Sequence, residues 1–168
     1  VPVPDSGVPA AIGYAQESGI PFELGIIRSH YVGRTFIQPN DQIRHLGVKL
    51  KHNANSALIA GKSVVLIDDS IVRGTTSLKI VQMLRDAGAR EIHMRIASPP
   101  TRHSCFYGVD TPERAKLLAA QMNVAEMSDY INADSLAFLS IDGLYRALGE
   151  DFRDEQQPQH CDACFTGD

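Results

Sequence analysis

An α/β fold with a central, mostly parallel sheet flanked by helices is predicted by three features of this sequence. Short apolar runs of strand length alternate with segments of helical periodicity. One run, Val64-Val65-Leu66-Ile67, is apolar without alternation, as a strand buried on both faces reads. It ends in Asp68-Asp69, which sets two acids at the carboxyl edge of a sheet, where open α/β sheets bind ligands.

The elements follow in order. Residues 1–4 read as a strand leading into Asp5-Ser6-Gly7, and Ser6 is placed to cap a helix over 8–18 that Gly19 ends. Residues 21–27 read as a second strand. Residues 30–52 carry polar and basic groups around Pro39-Asn40-Asp41 with weak periodicity, and form a long loop of the kind compact domains usually reserve for function. A short helix is expected over 55–60, then the strand at 64–67. Leu78, Val81 and Leu84 give residues 76–87 an apolar stripe, so this segment is an amphipathic helix closed by Gly88. The next strand spans 91–97 and is stopped by Ser98-Pro99-Pro100. Helical patterns follow over 112–121 and 124–131, a last strand over 136–140 and a short helix over 143–148. Past Gly149 the chain turns acidic and polar. This predicts a domain over 1–149, and a polar linker with a cysteine-bearing segment over 150–168.

Composition narrows the class. A length of 168 residues suits one domain with a real core. A net charge of −4 argues against general nucleic-acid binding, and no apolar run approaches the roughly 20 residues that span a bilayer. Val1-Pro2-Val3-Pro4 lacks the basic and apolar regions of a secretory signal, so a cytoplasmic enzyme is expected. The chain opens at Val1 without an initiator methionine and reads as a fragment or processed piece. Three cysteines, Cys105, Cys161 and Cys164, fit a disulfide framework poorly. On spacing alone a cluster, a zinc ion and three unrelated thiols stay open.

The segment that carries chemistry spans 64–77. A buried strand delivers Asp68 and Asp69, a short loop follows, and Arg73-Gly74-Thr75-Thr76-Ser77 opens a helix. A helix start offers unpaired N–H groups and partial positive charge, which suit a phosphate. Gly74 lets the backbone approach closely, and the three hydroxyl residues add donors. Carboxylates one loop away can accept bonds from ribose hydroxyls or hold Mg²⁺. Taken alone, an Asp-Asp pair more often caps a turn; the whole array is what points to a phosphorylated sugar. Neither a Gly-x-Gly-x-x-Gly nor a Gly-x-x-x-x-Gly-Lys-Ser/Thr motif is present, so dinucleotide and ATPase readings are weak. The other histidines, including His45, His52, His93, His103 and His160, have no metal-site spacing, and Met83, Met94, Met122 and Met127 read as core.

The 64–77 segment resembles the phosphoribosyl pyrophosphate signature of type I phosphoribosyltransferases. The likeness extends to residues 1–7, to 25–39 with Tyr31-Val32-Gly33-Arg34-Thr35-Phe36, to Ile96-Ala97-Ser98-Pro99-Pro100, to Ala133-Asp134-Ser135-Leu136 and to Cys164-Phe165-Thr166-Gly167. Together these are similar to the glutamine phosphoribosylpyrophosphate amidotransferase family over nearly the whole chain.

That resemblance implies a type I phosphoribosyltransferase fold and a pentosyltransferase. Ammonia and phosphoribosyl pyrophosphate would give 5-phosphoribosylamine and pyrophosphate, the first committed step of purine synthesis. It implies pyrophosphate binding by Asp5, Ser6 and Gly7, a magnesium site at Ser6, Asp68 and Asp69, and a 5′-phosphate grip by Arg73, Gly74, Thr75, Thr76 and Ser77. The loop from His30 to about His52 would close over the substrate, bringing Tyr31, Arg34, Lys49 and Lys51 to the pyrophosphate; Ala54 stands where the family usually has Pro. Cys105, Cys161 and Cys164 would be three ligands of a [4Fe–4S] cluster whose fourth lies upstream. Ammonia would come from a glutaminase domain absent from this sequence, so glutamine hydrolysis is not expected. Feedback by purine nucleotides and a homo-oligomer, often a tetramer, are also implied. A phosphoribosyl pyrophosphate or nucleotide sensor that kept the fold and lost turnover is the alternative. A base-salvage phosphoribosyltransferase would need a base pocket that cannot be identified here.

Overall fold

The computed structural model describes residues 1–29 and 52–167. Tyr31, Arg34, Lys49 and Lys51 lie outside them, with most of the predicted long loop.

The chain opens beside the sheet rather than as a full strand. Ile67 N–H donates to the Val1 carbonyl at 2.9 Å, and Val3 N–H donates to the Ile67 carbonyl at 2.7 Å. Helix α1 (Val8–Ser18) follows, with a proline in its first turn, where the missing N–H costs nothing. Gly19 ends it in the left-handed region at φ +70 and donates to Ala15 O. Ser6 does not cap α1; the cap position is Gly7, without a side-chain bond. The Ser6 side chain instead acts on the Asp68 carboxyl, lowering it.

Strand β1 (Ile26–Arg28) pairs antiparallel with β2 (His52–Ala54), Arg28 standing opposite His52. Residues 21–25, predicted as part of a strand, form no strand. Helix α2 (Ser56–Ile59) starts at Asn55, whose side chain accepts the Ala57 N–H at 3.1 Å. Then come β3 (Ser63–Asp68), α3 (Thr75–Asp86) and β4 (Glu91–Ile96). A 3₁₀ turn (Arg114–Lys116), α4 (Leu118–Gln121), α5 (Val124–Ile131), β5 (Ser135–Phe138), α6 (Ile141–Ala147) and α7 (Ala163–Thr166) complete the order.

β3, β4 and β5 form a parallel sheet in that spatial order, with Ser63 opposite Glu91 and Asp68 opposite Ile96. α1 lies against β3, α5 against β5 and α3 against α5. The core is apolar. Leu66, Ile80, Val81, Leu84, Ile92, Met94 and Ile131 are wholly excluded from solvent, and Met127 nearly so. Each such side chain contributes about 1.5–3 kcal/mol relative to exposure. Met83 and Met122 pack on the edge of this cluster.

Two further predicted elements differ. The single helix over 112–121 is split, because Leu117 is extended and the Leu118 N–H donates to the Val72 carbonyl at 2.8 Å. The last strand begins a residue early because Asp134 holds its start: its carboxylate accepts the Ile92 N–H at 2.6 Å and an Arg85 N–H at 2.7 Å. Among the described residues, no helix is long and apolar enough to cross a membrane.

Candidate functional site

A cleft of about 690 Å³ opens at the carboxyl end of β3. The strand ends in Asp68, the following loop runs to Gly74, and α3 begins at Thr75. Gly74 stands at φ +74, a conformation that other residues reach only with strain. Its lining includes Asp5, Ser6, Asp68, Asp69 and all of residues 73–77, so two segments far apart in sequence share one cavity.

The residues 5–7 turn is set by its packing on β3. Gly7 N–H donates to Val3 O at 2.9 Å. A Cβ on Gly7 would run into the Ile67 carbonyl and lie 2.9 Å from the Val3 carbonyl, so a side chain has no room there. Glycine is therefore required for contact, in addition to any role toward a ligand.

The two acids are unequal. Asp68 is buried, while Asp69 is exposed. Burial first, then the neighbouring Asp69 charge, pushes the Asp68 carboxyl up to about 7. Bonds from the Asp69 N–H, at 2.9 Å, and from Ser6 oppose that rise without cancelling it. Asp69 accepts from the Ser70 hydroxyl at 3.1 Å.

Four ionisable lining residues among the described ones were not foreseen as part of the site: Arg28, His52, Lys79 and Asp110. Arg28 forms an ion pair with Asp5. His52, predicted as an ordinary surface or core histidine, is buried with Nε2 3.3 Å from the Pro4 carbonyl oxygen. A charged residue on the strand before residues 30–51, and a histidine on the strand after them, are the faint signals available. Lys79 lies one turn along α3 from Thr75, a spacing that could have been read from helical geometry.

Asp68, Asp69 and Ser6 give a hard-oxygen set of two carboxylates and a hydroxyl. That chemistry suits Mg²⁺, which is usually held by one or two carboxylates plus substrate phosphates and water. Among the described residues, no group of three or more His, Cys, Asp or Glu could hold a metal by itself. The predicted cysteine ligands form no such group either. All three are free thiols, and Cys105 and Cys161 both act on Cys164. Burial raises the Cys164 thiol first, and these neighbours add to it. N–H groups of Tyr107, Val109 and Gly108 lower Cys105. Three thiols fall short of the four that normally hold a [4Fe–4S] cluster.

A parallel sheet whose carboxyl edge joins paired acids to a glycine-threonine helix start defines an α/β domain with its cleft at the sheet edge. The sequence profile of the phosphoribosyl transferase domain family matches residues 1–104, and the chain belongs to that family. It is 69% identical to the amidophosphoribosyltransferase of Rhizobium etli, over all of this chain and 34% of that protein. It is 58% identical to the chloroplastic amidophosphoribosyltransferase 1 of Arabidopsis thaliana, over all of this chain and 29% of that one. Among solved structures, the glutamine phosphoribosylpyrophosphate amidotransferase of Bacillus subtilis, complexed with ADP and GMP, matches with a TM-score of 0.86. That match has 52% identity over 99% of this chain and 36% of that one. The chain thus spans about a third of the length of the relatives it matches.

Proposed function

We propose that this chain is the phosphoribosyl-transfer part of an amidophosphoribosyltransferase, joining ammonia to C1 of phosphoribosyl pyrophosphate and releasing pyrophosphate. The observation that carries the reading is the convergence of Asp5 and Ser6, the Asp68-Asp69 pair and residues 73–77 on one cleft.

Each group has a task. Backbone N–H groups at the start of α3, with the Thr75, Thr76 and Ser77 hydroxyls, hold the 5′-phosphate. Asp68 and Asp69 accept hydrogen bonds from the ribose hydroxyls. The 5–7 turn and Arg28 receive the pyrophosphate, on which negative charge grows as the C1–O bond breaks. Asp68, Asp69 and Ser6 would also hold Mg²⁺, which supplies neutralisation of that charge when bound. The ammonia nitrogen forms the new bond to C1 and releases a proton, so no protein nucleophile is needed. Holding the reactants in line supplies much of the rate.

Further parts of the reading rest on the relatives. Ammonia comes from a glutaminase domain of the longer protein. Purine nucleotides inhibit, as suggested by the ADP and GMP in the Bacillus subtilis complex. A homotetramer in the cytoplasm is the expected form. Residues 1–149 are the transferase domain, with Tyr31, Arg34 and Lys51 closing over pyrophosphate. A [4Fe–4S] cluster on Cys105, Cys161 and Cys164 is a separate proposal that rests on the family resemblance alone. Iron and acid-labile sulfide in the full-length protein would establish it, and their absence would end it.

The central test is calorimetry with phosphoribosyl pyrophosphate and Mg²⁺, followed by pyrophosphate release with ammonia. Saturable binding and turnover are expected, both lost in Asp69→Asn. Binding without turnover would favour the sensor, and no binding by the native protein would sink the proposal.

A further inference from the structure

The loop that carries residues 73–77 is held from behind by a part of the chain that never reaches the cleft. A Cβ placed on Gly74 would lie 2.6 Å from Leu118 Cδ2, 3.0 Å from Tyr130 Cε1 and 3.4 Å from Tyr130 Cδ1. The Leu118 N–H donates to the Val72 carbonyl at 2.8 Å, two residues before Gly74. Leu118 is buried, and Tyr130 is 37% exposed, so one side of its ring faces solvent while its edge rests on the loop. Neither residue lines the cleft. α5, which carries Tyr130, is itself fixed to the core through Met127 and Ile131.

Such a backing matters for a phosphate seat made of backbone N–H groups. The groups must point at one centre, and a glycine at positive φ has no side chain of its own to hold that arrangement. A loop ordered before the ligand arrives loses less entropy on binding. We propose that Tyr130 is a positioning residue: its ring edge, with Leu118, presses on Gly74 and keeps the 5′-phosphate loop in its receptive form. This rests on the phosphoribosyl pyrophosphate reading and deepens it. The ring carbons make the contact, so the hydroxyl is dispensable.

The test uses the intact protein and three probes: phosphoribosyl pyrophosphate with Mg²⁺, ribose 5-phosphate, and pyrophosphate with Mg²⁺. Tyr130→Ala is expected to weaken the first two about tenfold, the scale of ordering a small loop on binding. Pyrophosphate, which uses the 5–7 turn, should bind as before. In turnover, KM for phosphoribosyl pyrophosphate should rise with kcat nearly unchanged, and Tyr130→Phe should restore it. Tyr130→Leu, whose side chain ends short of Gly74, should share the defect and serves if the alanine variant does not fold. Unchanged ribose 5-phosphate affinity in a folded variant would overturn the inference. So would equal weakening of pyrophosphate, or failure of phenylalanine to rescue. If the unsubstituted protein binds none of the probes, the functional reading falls and takes this one with it.

Discussion

Asp68 and Asp69 are chain neighbours with opposite environments, and the difference is measurable. Because the Asp68 carboxyl is raised to about 7 by burial, the folded protein holds a proton there that the unfolded chain releases near 3.8. Stability of the ligand-free protein should therefore fall as pH rises from about 4 to about 7, then level off. Asp68→Asn should flatten that slope, make the free protein more stable at pH 8, and abolish binding of phosphoribosyl pyrophosphate. Thermal melts across pH, with calorimetry beside them, check both halves; a slope surviving in the variant would refute the assignment. Gly7→Ala should destabilise by about 1–3 kcal/mol in urea unfolding, since the Ile67 and Val3 carbonyls must shift to admit a methyl. At this scale the sequence was readable where the site is contiguous. Asp68, Asp69 and residues 73–77 announce themselves because strand, acids and helix start follow within one short segment. Arg28, His52 and Tyr130 did not, because each arrives by tertiary folding, and no local pattern tells a side chain what it will face.

Elements with strong periodicity and clear ends were read closely. α1 has the predicted bounds and its Gly19 stop, and α5 has a capping box in which Asn123 and Glu126 bond each other's backbone N–H groups. The segment over 112–121 was misread because a non-local bond, Leu118 N–H to Val72 O, outweighs local helical preference. The residues after 149 are tied to α6 by the Tyr145 hydroxyl, which donates to Asp162 at 2.9 Å; within that segment Arg153 Nε donates to the same buried carboxylate at 2.6 Å. Burial alone would raise the Asp162 carboxyl, but the bonds from Arg153 and Tyr145 outweigh it and hold it below its ordinary value. This contribution to stability is present above the unfolded carboxylate range and is lost as pH falls through the lower folded value. Arg153→Ala should cost about 3–5 kcal/mol, the scale of stranding one partner of a buried pair. Urea unfolding would measure it, and a loss under about 1 kcal/mol would mean that the pair is dispensable. Cys164 O accepts the N–H groups of Arg102 and His103, so the same variant should loosen the neighbourhood of Cys105.

For the whole molecule, a ligand that binds the folded state alone raises its melting point by mass action. Phosphoribosyl pyrophosphate with Mg²⁺ at 100 times its dissociation constant should add about 2.7 kcal/mol, or roughly 5–10 °C for a chain of this size. Differential scanning fluorimetry would read it, and an unshifted melt would count against the site. The alternation of strands and helices foretold the parallel sheet, whereas the antiparallel β1–β2 pair was hidden because its halves flank residues 30–51. Val3, which precedes the 5–7 turn, bonds to Ile67, and the loop to residues 73–77 departs from Asp68. The two segments proposed to hold anions are thus anchored on adjacent residues of one strand, like the two jaws of a caliper on a single rivet. On that proposal a metabolite with one phosphoryl group should fill one jaw, and one whose two charged ends are set at another distance should fit neither properly, so that the tool would measure length before any chemistry begins.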